Sequence, residues 1–175
     1  YLSRAGLDLT SVARVMNNKL SQVVIERSRN SYGGARIDKN KGGTRQAIGV
    51  LRRGEMLGIL LDQKFNNGIA TRLMGHDVMT APGPAVLSMQ FNCPVIPVRI
   101  ERIRGTKFRI SCYPALDTLR TNDKDEDVRV FTQRLNDVLE EWIGERPGQW
   151  LWLHRRWPEA VYDPAKTRST HETTV

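Results

Sequence analysis

The sequence has few of the features that mark membrane-spanning or metal-binding proteins. Even the apolar run that begins at Met56 reaches Asp62 after six residues. A spanning helix needs about eighteen or more apolar residues, so none is predicted. The two cysteines, Cys93 and Cys112, belong to no metal-spaced pair. We therefore expect both thiols to be reduced, in a cytoplasmic setting, and no metal to be bound.

Motifs of several common enzyme classes are also missing. There is no glycine-rich phosphate loop, no G-x-S-x-G elbow and no zinc-spaced cluster, and the pairs Gly33-Gly34 and Gly42-Gly43 are isolated. We expect no cofactor. The sequence begins at Tyr1 without a methionine or a signal-like start, and we expect it to be a piece of a longer product.

Composition predicts one globular domain with anionic partners. The 175 residues are 39% hydrophobic and 26% charged, which favours a domain over residues 1–165 and a polar, mobile tail over residues 166–175. The formal charge of +8 favours nucleic acid, an anionic membrane surface or a phosphorylated substrate, and charge alone does not choose among them.

Predicted strands and helices alternate, which indicates an α/β fold with a central, mostly parallel mixed sheet flanked by helices. We expect strands at 12–16, 35–38, 56–61, 93–100 and 107–113, and helices around 18–27, 44–53, 82–91 and after the acidic segment 122–127. The continuously apolar strand 56–61 should be buried on both faces, and 65–72 should be a loop. The last two strands should form a hairpin with one solvated face and Phe108, Ile110 and Cys112 on the other.

Candidate binding residues follow two of the predicted strands. Asp62 and Gln63 end the strand 56–61, where parallel sheets place ligands and where a carboxylate and an amide can orient a hydroxyl. Capping of the next turn is the equally weighted alternative. Arg14 can hold a phosphate in two directions, with Asn18 and Lys41 as supporting donors. In so basic a chain, a solvated surface role is the alternative for Arg14.

The segment Trp150–Trp157 combines three tryptophans with a basic cluster. This composition is typical of a membrane-interface anchor or an anionic headgroup site. A closing strand whose tryptophans fill gaps in the core is an equally weighted interpretation.

Four ordered motifs carry a family resemblance. They are Arg53-Gly54-Glu55-Met56-Leu57-Gly58-Ile59-Leu60-Leu61-Asp62-Gln63, Pro82-Gly83-Pro84-Ala85, Cys93-Pro94-Val95-Ile96-Pro97-Val98 and Gln149-Trp150-Leu151-Trp152-Leu153-His154-Arg155-Arg156-Trp157. Together they resemble the bacterial lipid A biosynthesis lauroyl/myristoyl acyltransferases, over about residues 14–157. The resemblance implies a glycerolipid-acyltransferase-like fold that lacks its first strand-helix unit.

The resemblance also implies a function. Members move an acyl chain from acyl carrier protein to a hydroxyl of a Kdo-bearing, anionic lipid A precursor at the cytoplasmic face of the inner membrane. In the family, an N-terminal anchor and an H-x-x-x-x-D/E motif precede the segment seen here. By the family pattern, Arg14, Asn18, Lys41, Asp62 and Gln63 match substrate-binding positions.

A catalytic histidine is not expected in this chain. His154 and Glu159 have the H-x-x-x-x-E spacing, but Pro158 disfavours the turn that would bring Glu159 onto the imidazole. The chain alone is therefore predicted to be inactive. Leu73-Met74-Gly75 replaces an aromatic pair and glycine usual in many members, which affects the expected acyl-chain preference.

Two alternatives stay open. A related acyltransferase would act on another glycolipid, such as a phosphatidylinositol mannoside, although Gln63 after Asp62 leans toward the lipid A branch. A basic nucleic-acid-binding module would belong to another class, and only Trp157 beside Arg155-Arg156 hints at it. We expect no nucleic-acid partner.

Overall fold

The computed structural model describes residues 9–13, 27, 35–38, 42–118, 120–152 and 155–163. The chain divides into two compact units, Tyr1–Leu60 and Leu61–Val175. Parallel strands, antiparallel hairpins and helices are all present, so the predicted α/β class is confirmed. Among the described residues, no helix has both the length and the apolar character needed to cross a bilayer. The predicted tail, residues 166–175, lies outside the described residues.

The first unit contains a three-stranded parallel sheet. Its strands β1 (Leu9–Ala13), β2 (Arg36–Asp38) and β3 (Met56–Gly58) are ordered β2-β1-β3. Helix α1 (Gly43–Arg52) packs Ala47 and Val50 against Ile37 of β2 and Leu57 of β3. The parallel pairing of β3 with β1 agrees with the predicted sheet.

Three details of this unit differ from the sequence predictions. Strand β1 begins at Leu9 rather than at residue 12, and residues 14–16 of the predicted strand lie outside the described part. Strand β3 stops at Gly58, and Met56 is exposed, so burial on both faces is wrong. Helix α1 covers Gly43–Arg52 rather than 44–53, and the left-handed backbone of Gly42, with φ at 65°, leads into it at Gly43 without a side-chain cap.

The second unit begins with a hairpin where a loop was predicted. Strands β4 (Ile69–Leu73) and β5 (His76–Thr80) pair in antiparallel register around a two-residue turn. Met74 and Gly75 both have positive φ, 51° and 76°. Two such residues give the turn whose twist matches that of paired strands, and this geometry closes the hairpin.

Two helices form the core of the second unit, as predicted. Helix α2 (Gly83–Phe91) ends at Asn92, and helix α3 (Lys124–Glu145) begins after Asp123, whose carboxylate accepts hydrogen bonds from two backbone N–H groups of the first turn. Phe131 and Leu135 of α3 are buried against Ala85 of α2. These two apolar residues, four positions apart, lie on one face of α3.

The third sheet is the predicted hairpin, with its faces reversed. Strands β6 (Val98–Arg104) and β7 (Lys107–Cys112) pair across a turn at Gly105. Val95 makes only an isolated bridge to Leu116, because Pro94 and Pro97 interrupt the strand. The face with Phe108, Ile110 and Cys112 is exposed, so its predicted burial is wrong.

The buried face of this hairpin is polar. Arg99 of β6 pairs with Glu145 of α3 and lies 3.5 Å from Glu101. The Nε atom of Arg146 lies 3.1 Å from the Glu101 carboxylate. Ion pairs, rather than apolar contacts, therefore hold β6 to the end of α3, and they leave the apolar face outward.

Candidate functional site

The structure describes two of the five predicted binding residues. Asp62 is half-buried and Gln63 is exposed. Leu61, directly before them, packs against the cluster of Ala85, Phe131 and Leu135 and so anchors the segment in the second unit. Arg14, Asn18 and Lys41 lie outside the described residues, and their roles stay predictions.

Arg156 is a buried cation whose charge interacts with that of Asp62. Its side chain is only 1% exposed. Nη1 donates a hydrogen bond to the carbonyl oxygen of Met79 at 2.5 Å, and Nη2 donates to Thr80 Oγ1 at 2.9 Å. Two directed hydrogen bonds to one strand fix the guanidinium plane, so Arg156 is a rigid buried cation.

A network of neutral side chains surrounds that cation. Asn136 Nδ2 donates to Thr71 Oγ1 and to Thr80 Oγ1, both at 2.9 Å. Thr80 Oγ1 thus accepts from both Arg156 and Asn136, which leaves its own proton for Thr71 Oγ1 at 2.8 Å. Thr71 Oγ1 donates a hydrogen bond to the carbonyl oxygen of Val78 at 3.3 Å. The hydroxyl directions of β4 and β5 are therefore set by Arg156 and α3.

Asp62 acts on Arg156 through its charge. Burial lowers the pKa of the Arg156 guanidinium from its ordinary value, and the negative charge of Asp62 opposes that shift. Within the described ranges, Arg156 Nε has no hydrogen-bond acceptor. A nearby carboxylate is the favourable counter-charge for such a buried guanidinium. The charge of Asp62 therefore offsets part of the cost of burying Arg156.

This arrangement suits binding of a hydroxyl or sugar. A half-buried carboxylate can accept hydrogen bonds from a bound hydroxyl. The exposed amide of Gln63 adds one donor and one acceptor beside it. The substrate-binding role and the capping role of Asp62 both stay predictions.

The H-x-x-x-x-E pair is only half described. His154 lies outside the described residues. Pro158 has extended backbone, and the short helix α4 (Glu159–Tyr162) begins directly after it. The carboxylate of Glu159 lies 3.9 Å from the exposed guanidinium of Arg155.

The tryptophan segment divides between core and surface. Trp157 is buried with Leu73 and Val78, and its indole N–H donates to the carbonyl of Leu73 at 3.0 Å. Trp150 packs partly against the same cluster, with its ring centroid 5.7 Å from that of Trp157. Trp152 is exposed. The core-filling interpretation is right for two of the three tryptophans, although the described part of the segment is not a strand.

The segment Leu73-Met74-Gly75, which differs from the family pattern, contains the tight turn of the β4–β5 hairpin. Leu73 is fully buried, and the backbone N–H of Met74 donates to the Glu140 carboxylate of α3. The segment thus fastens the hairpin to α3.

A separate open depression of about 360 Å³ is lined by Asn92, Cys93, Pro94, Leu116, Asp117 and Thr118. Neither Asp62 nor Gln63 lines it, so it carries no argument about the site.

Sequence reasoning missed Arg156, Asn136 and the two threonines. Arg155 and Arg156 are adjacent and chemically identical, yet Arg155 is exposed and Arg156 is buried. The glycine of Met74-Gly75 was a partial signal for the tight turn of the hairpin that receives Arg156.

Comparison with known proteins gives concordant results. The family described as "Bacterial lipid A biosynthesis acyltransferase" matches residues 1–159. The chain is 26% identical over 166 residues to the lipid A biosynthesis palmitoleoyltransferase of Escherichia coli strain K12, covering 93% of this chain and 49% of that protein. The lipid A biosynthesis acyltransferase of Shigella flexneri matches with the same identity and the same coverage. The chain therefore spans about half the length of the curated relatives it matches.

Proposed function

Because the chain belongs to the bacterial lipid A biosynthesis acyltransferase family, we propose that it is part of an enzyme that acylates a Kdo-bearing lipid A precursor with acyl carrier protein as the donor. The observation that carries this proposal is the family match over residues 1–159. Two lipid A biosynthesis enzymes among the relatives support it. Activity and partners are proposed for the intact protein.

The reaction exchanges a thioester for an ester. The acceptor hydroxyl oxygen attacks the thioester carbonyl carbon, the C–S bond breaks, and the thiol of the carrier protein leaves. The hydroxyl must lose its proton to a base in the same step. The family resemblance assigns that role to a histidine with an acid five positions on. We propose that this chain supplies the acceptor site and that its His154 is not that base.

Asp62 and Gln63 are the proposed contacts to the acceptor. Asp62 accepts a hydrogen bond from a hydroxyl of the precursor, and Gln63 binds a neighbouring polar group. Arg156 is a positioning residue, since it is buried and acts through the charge of Asp62. The proposed phosphate contacts are Arg14, Asn18 and Lys41, on the basis of their donor groups and of the resemblance.

The proposed site of action is the cytoplasmic face of the inner membrane, where an anionic precursor and anionic lipids suit a chain with a formal charge of +8. A related glycolipid is the second candidate acceptor, and Gln63 after Asp62 favours lipid A over it. The nucleic-acid alternative depended on Trp157. That side chain is 6% exposed in the core, where it does not stack on a base.

Cellular lipid A provides the test. The intact protein would be expressed in a Gram-negative strain that lacks one of its own lipid A acyltransferases, and lipid A would be analysed by mass spectrometry. We expect a mass gain of one acyl chain, which Asp62→Asn strongly reduces. Unchanged lipid A, with the protein present at normal level, contradicts the proposal. New acylation of a different glycolipid would favour the second candidate.

A further inference from the structure

The outward face of the β6–β7 hairpin is an apolar surface with basic residues around it. Ile100 and Ile110 lie directly opposite each other, as do Val98 and Cys112. Ile100 is 63% exposed and Phe108 is 51% exposed. Phe108 faces Arg102 in the register, and the guanidinium carbon of Arg102 lies 4.6 Å from its ring centroid. We call the exposed residues 98, 100, 102–104, 107, 108, 110 and 112 the hairpin face.

All exposed charges of this hairpin are positive. Its single acidic residue, Glu101, is buried and paired with Arg99 and Arg146 on the side facing α3. The exposed charged residues of the hairpin are all basic: Arg102, Arg104, Lys107 and Arg109. Arg109 lies opposite Glu101 in the register, on the other side of the hairpin. Two copies placed face to face would therefore bring six cations together, which disfavours self-association through this surface.

The hairpin is held firmly enough to present that face. Arg102 N–H donates to Gln149 Oε1 at 2.9 Å, and Gln149 Nε2 donates back to the Arg102 carbonyl at 3.0 Å. The side chain of Arg102 also closes the turn by a hydrogen bond to the Gly105 carbonyl at 2.8 Å. With Arg99 paired to Glu145, both the free edge of β6 and its inner face are attached to the rest of the second unit.

We propose that the hairpin face docks on the surface of an anionic lipid bilayer. Ile100, Ile103 and Phe108 enter the headgroup region, while Arg104 and Lys107 at the turn contact lipid phosphates. Isolated apolar exposure is ordinary, but contiguous apolar residues ringed by cations and free of exposed carboxylates match an anionic membrane in both respects. The location of that membrane rests on the proposed function, whereas the docking itself depends only on the hairpin.

An environment-sensitive fluorophore at residue 108 tests the proposal. The intact protein, with its other cysteines replaced by serine, would carry the label on Phe108→Cys or, as the matched control, on Asp137→Cys. Asp137 is exposed on α3, and the inner face of the hairpin is the one that contacts α3. Vesicles of phosphatidylethanolamine with phosphatidylglycerol would be compared with vesicles of phosphatidylcholine alone.

We expect the emission maximum of the label at residue 108 to shift to shorter wavelength on the anionic vesicles, and its fluorescence to be quenched by spin-labelled lipid. The emission of the label at residue 137 should not change. In an Arg104→Gln/Lys107→Gln background, the anionic lipid required should rise roughly fivefold for each charge removed. A label at 108 that stays in water while the protein is bound to anionic vesicles would overturn the proposal. So would a blue-shifted label before vesicles are added, because another protein surface would then cover the face.

The docking and the proposed function can fail separately. Acyl transfer to a detergent-dispersed lipid A precursor does not require a bilayer, so the double variant should retain it. Docking without any transfer would refute the proposed function and leave the hairpin face assigned. Acyl transfer without docking at residue 108 would refute the docking proposal and support the proposed function.

Discussion

Replacing Arg156 with alanine should strongly destabilise the second unit. The guanidinium is almost fully buried and donates to the Met79 carbonyl and to Thr80 Oγ1. Its removal leaves the carbonyl without this donor, and it removes a positive charge with which Asp62 interacts. It also opens a cavity beside Thr80.

The magnitude follows from these losses. Hydrogen bonds to a charged group contribute about 1.5–3 kcal/mol each, so two contribute roughly 3–6 kcal/mol. Relief of the arginine's own desolvation, which lowers its pKa here, offsets part of that. We expect the free energy of unfolding to fall by about 3–5 kcal/mol for Arg156→Ala. Arg156→Met fills most of the space and should cost less, about 1–3 kcal/mol.

Denaturant unfolding of the intact protein, followed by tryptophan emission, measures this difference. Arg155→Ala is the matched control, because Arg155 is adjacent and exposed, and its contact with Glu159 is a surface pair at 3.9 Å. That variant should lie within about 0.5 kcal/mol of the parent. Equal midpoints for Arg156→Ala and Arg155→Ala would refute the description of Arg156 as a buried, hydrogen-bonded cation.

Two further predictions concern packing and pH. Gly68→Ala should destabilise the protein by about 1–3 kcal/mol, because a Cβ there would lie 2.2 Å from a backbone oxygen of β5. The control Gly144→Ala lies in α3 with open space around it, and it should be neutral or stabilise the protein by up to about 1 kcal/mol. Equal denaturant midpoints for the two variants would contradict this prediction. The pKa of Glu126 lies below its ordinary value because Arg129 donates to its carboxylate. The pair therefore stabilises the fold above the unfolded pKa of Glu126 and loses that contribution as pH falls through the folded pKa. Arg129→Gln should raise the Glu126 pKa measured by carboxyl NMR, and an unchanged pKa would show that the pair does not form.

Local patterns were sufficient for several elements of the fold. The helical spacing of α3, the acidic residues at its start and the positions of α2 and the β6–β7 turn were all predictable, because each depends on residues near in sequence. The exposed face of β6–β7 was not. Its buried face carries Arg99 and Glu101, which are stabilised by Glu145 and Arg146 more than forty residues later.

The β4–β5 hairpin was not predicted from the sequence for a related reason. Its buried positions include Thr71 and Thr80, so the alternation of apolar and polar residues is broken where it should be clearest. These hydroxyls are satisfied by Asn136 and Arg156, which lie between 56 and 76 residues after them. No local window of sequence contains both the strands and their partners, so the network depends on tertiary structure.

The candidate site was predicted in part. Asp62 and Gln63 were identified from their place after an apolar run and from the family resemblance, and the structure adds Arg156, whose charge interacts with that of Asp62. The burial of one arginine and exposure of its neighbour are decided by where β5 lies. That information is absent from the local sequence Arg155-Arg156.

Transfer of an acyl chain by the purified intact protein tests the central claim most directly. The protein would be mixed with acyl-loaded carrier protein and a Kdo-bearing lipid A precursor, and both released thiol and acceptor mass would be followed. We predict one thiol released per acyl chain gained. Asp62→Asn should slow transfer about tenfold to a hundredfold, which corresponds to a charge-assisted hydrogen bond of about 1.5–3 kcal/mol. Asp77→Asn, at an exposed aspartate of β5, should match the parent. No acylated acceptor, or an Asp62→Asn rate within about twofold of the parent at unchanged stability, would contradict the account.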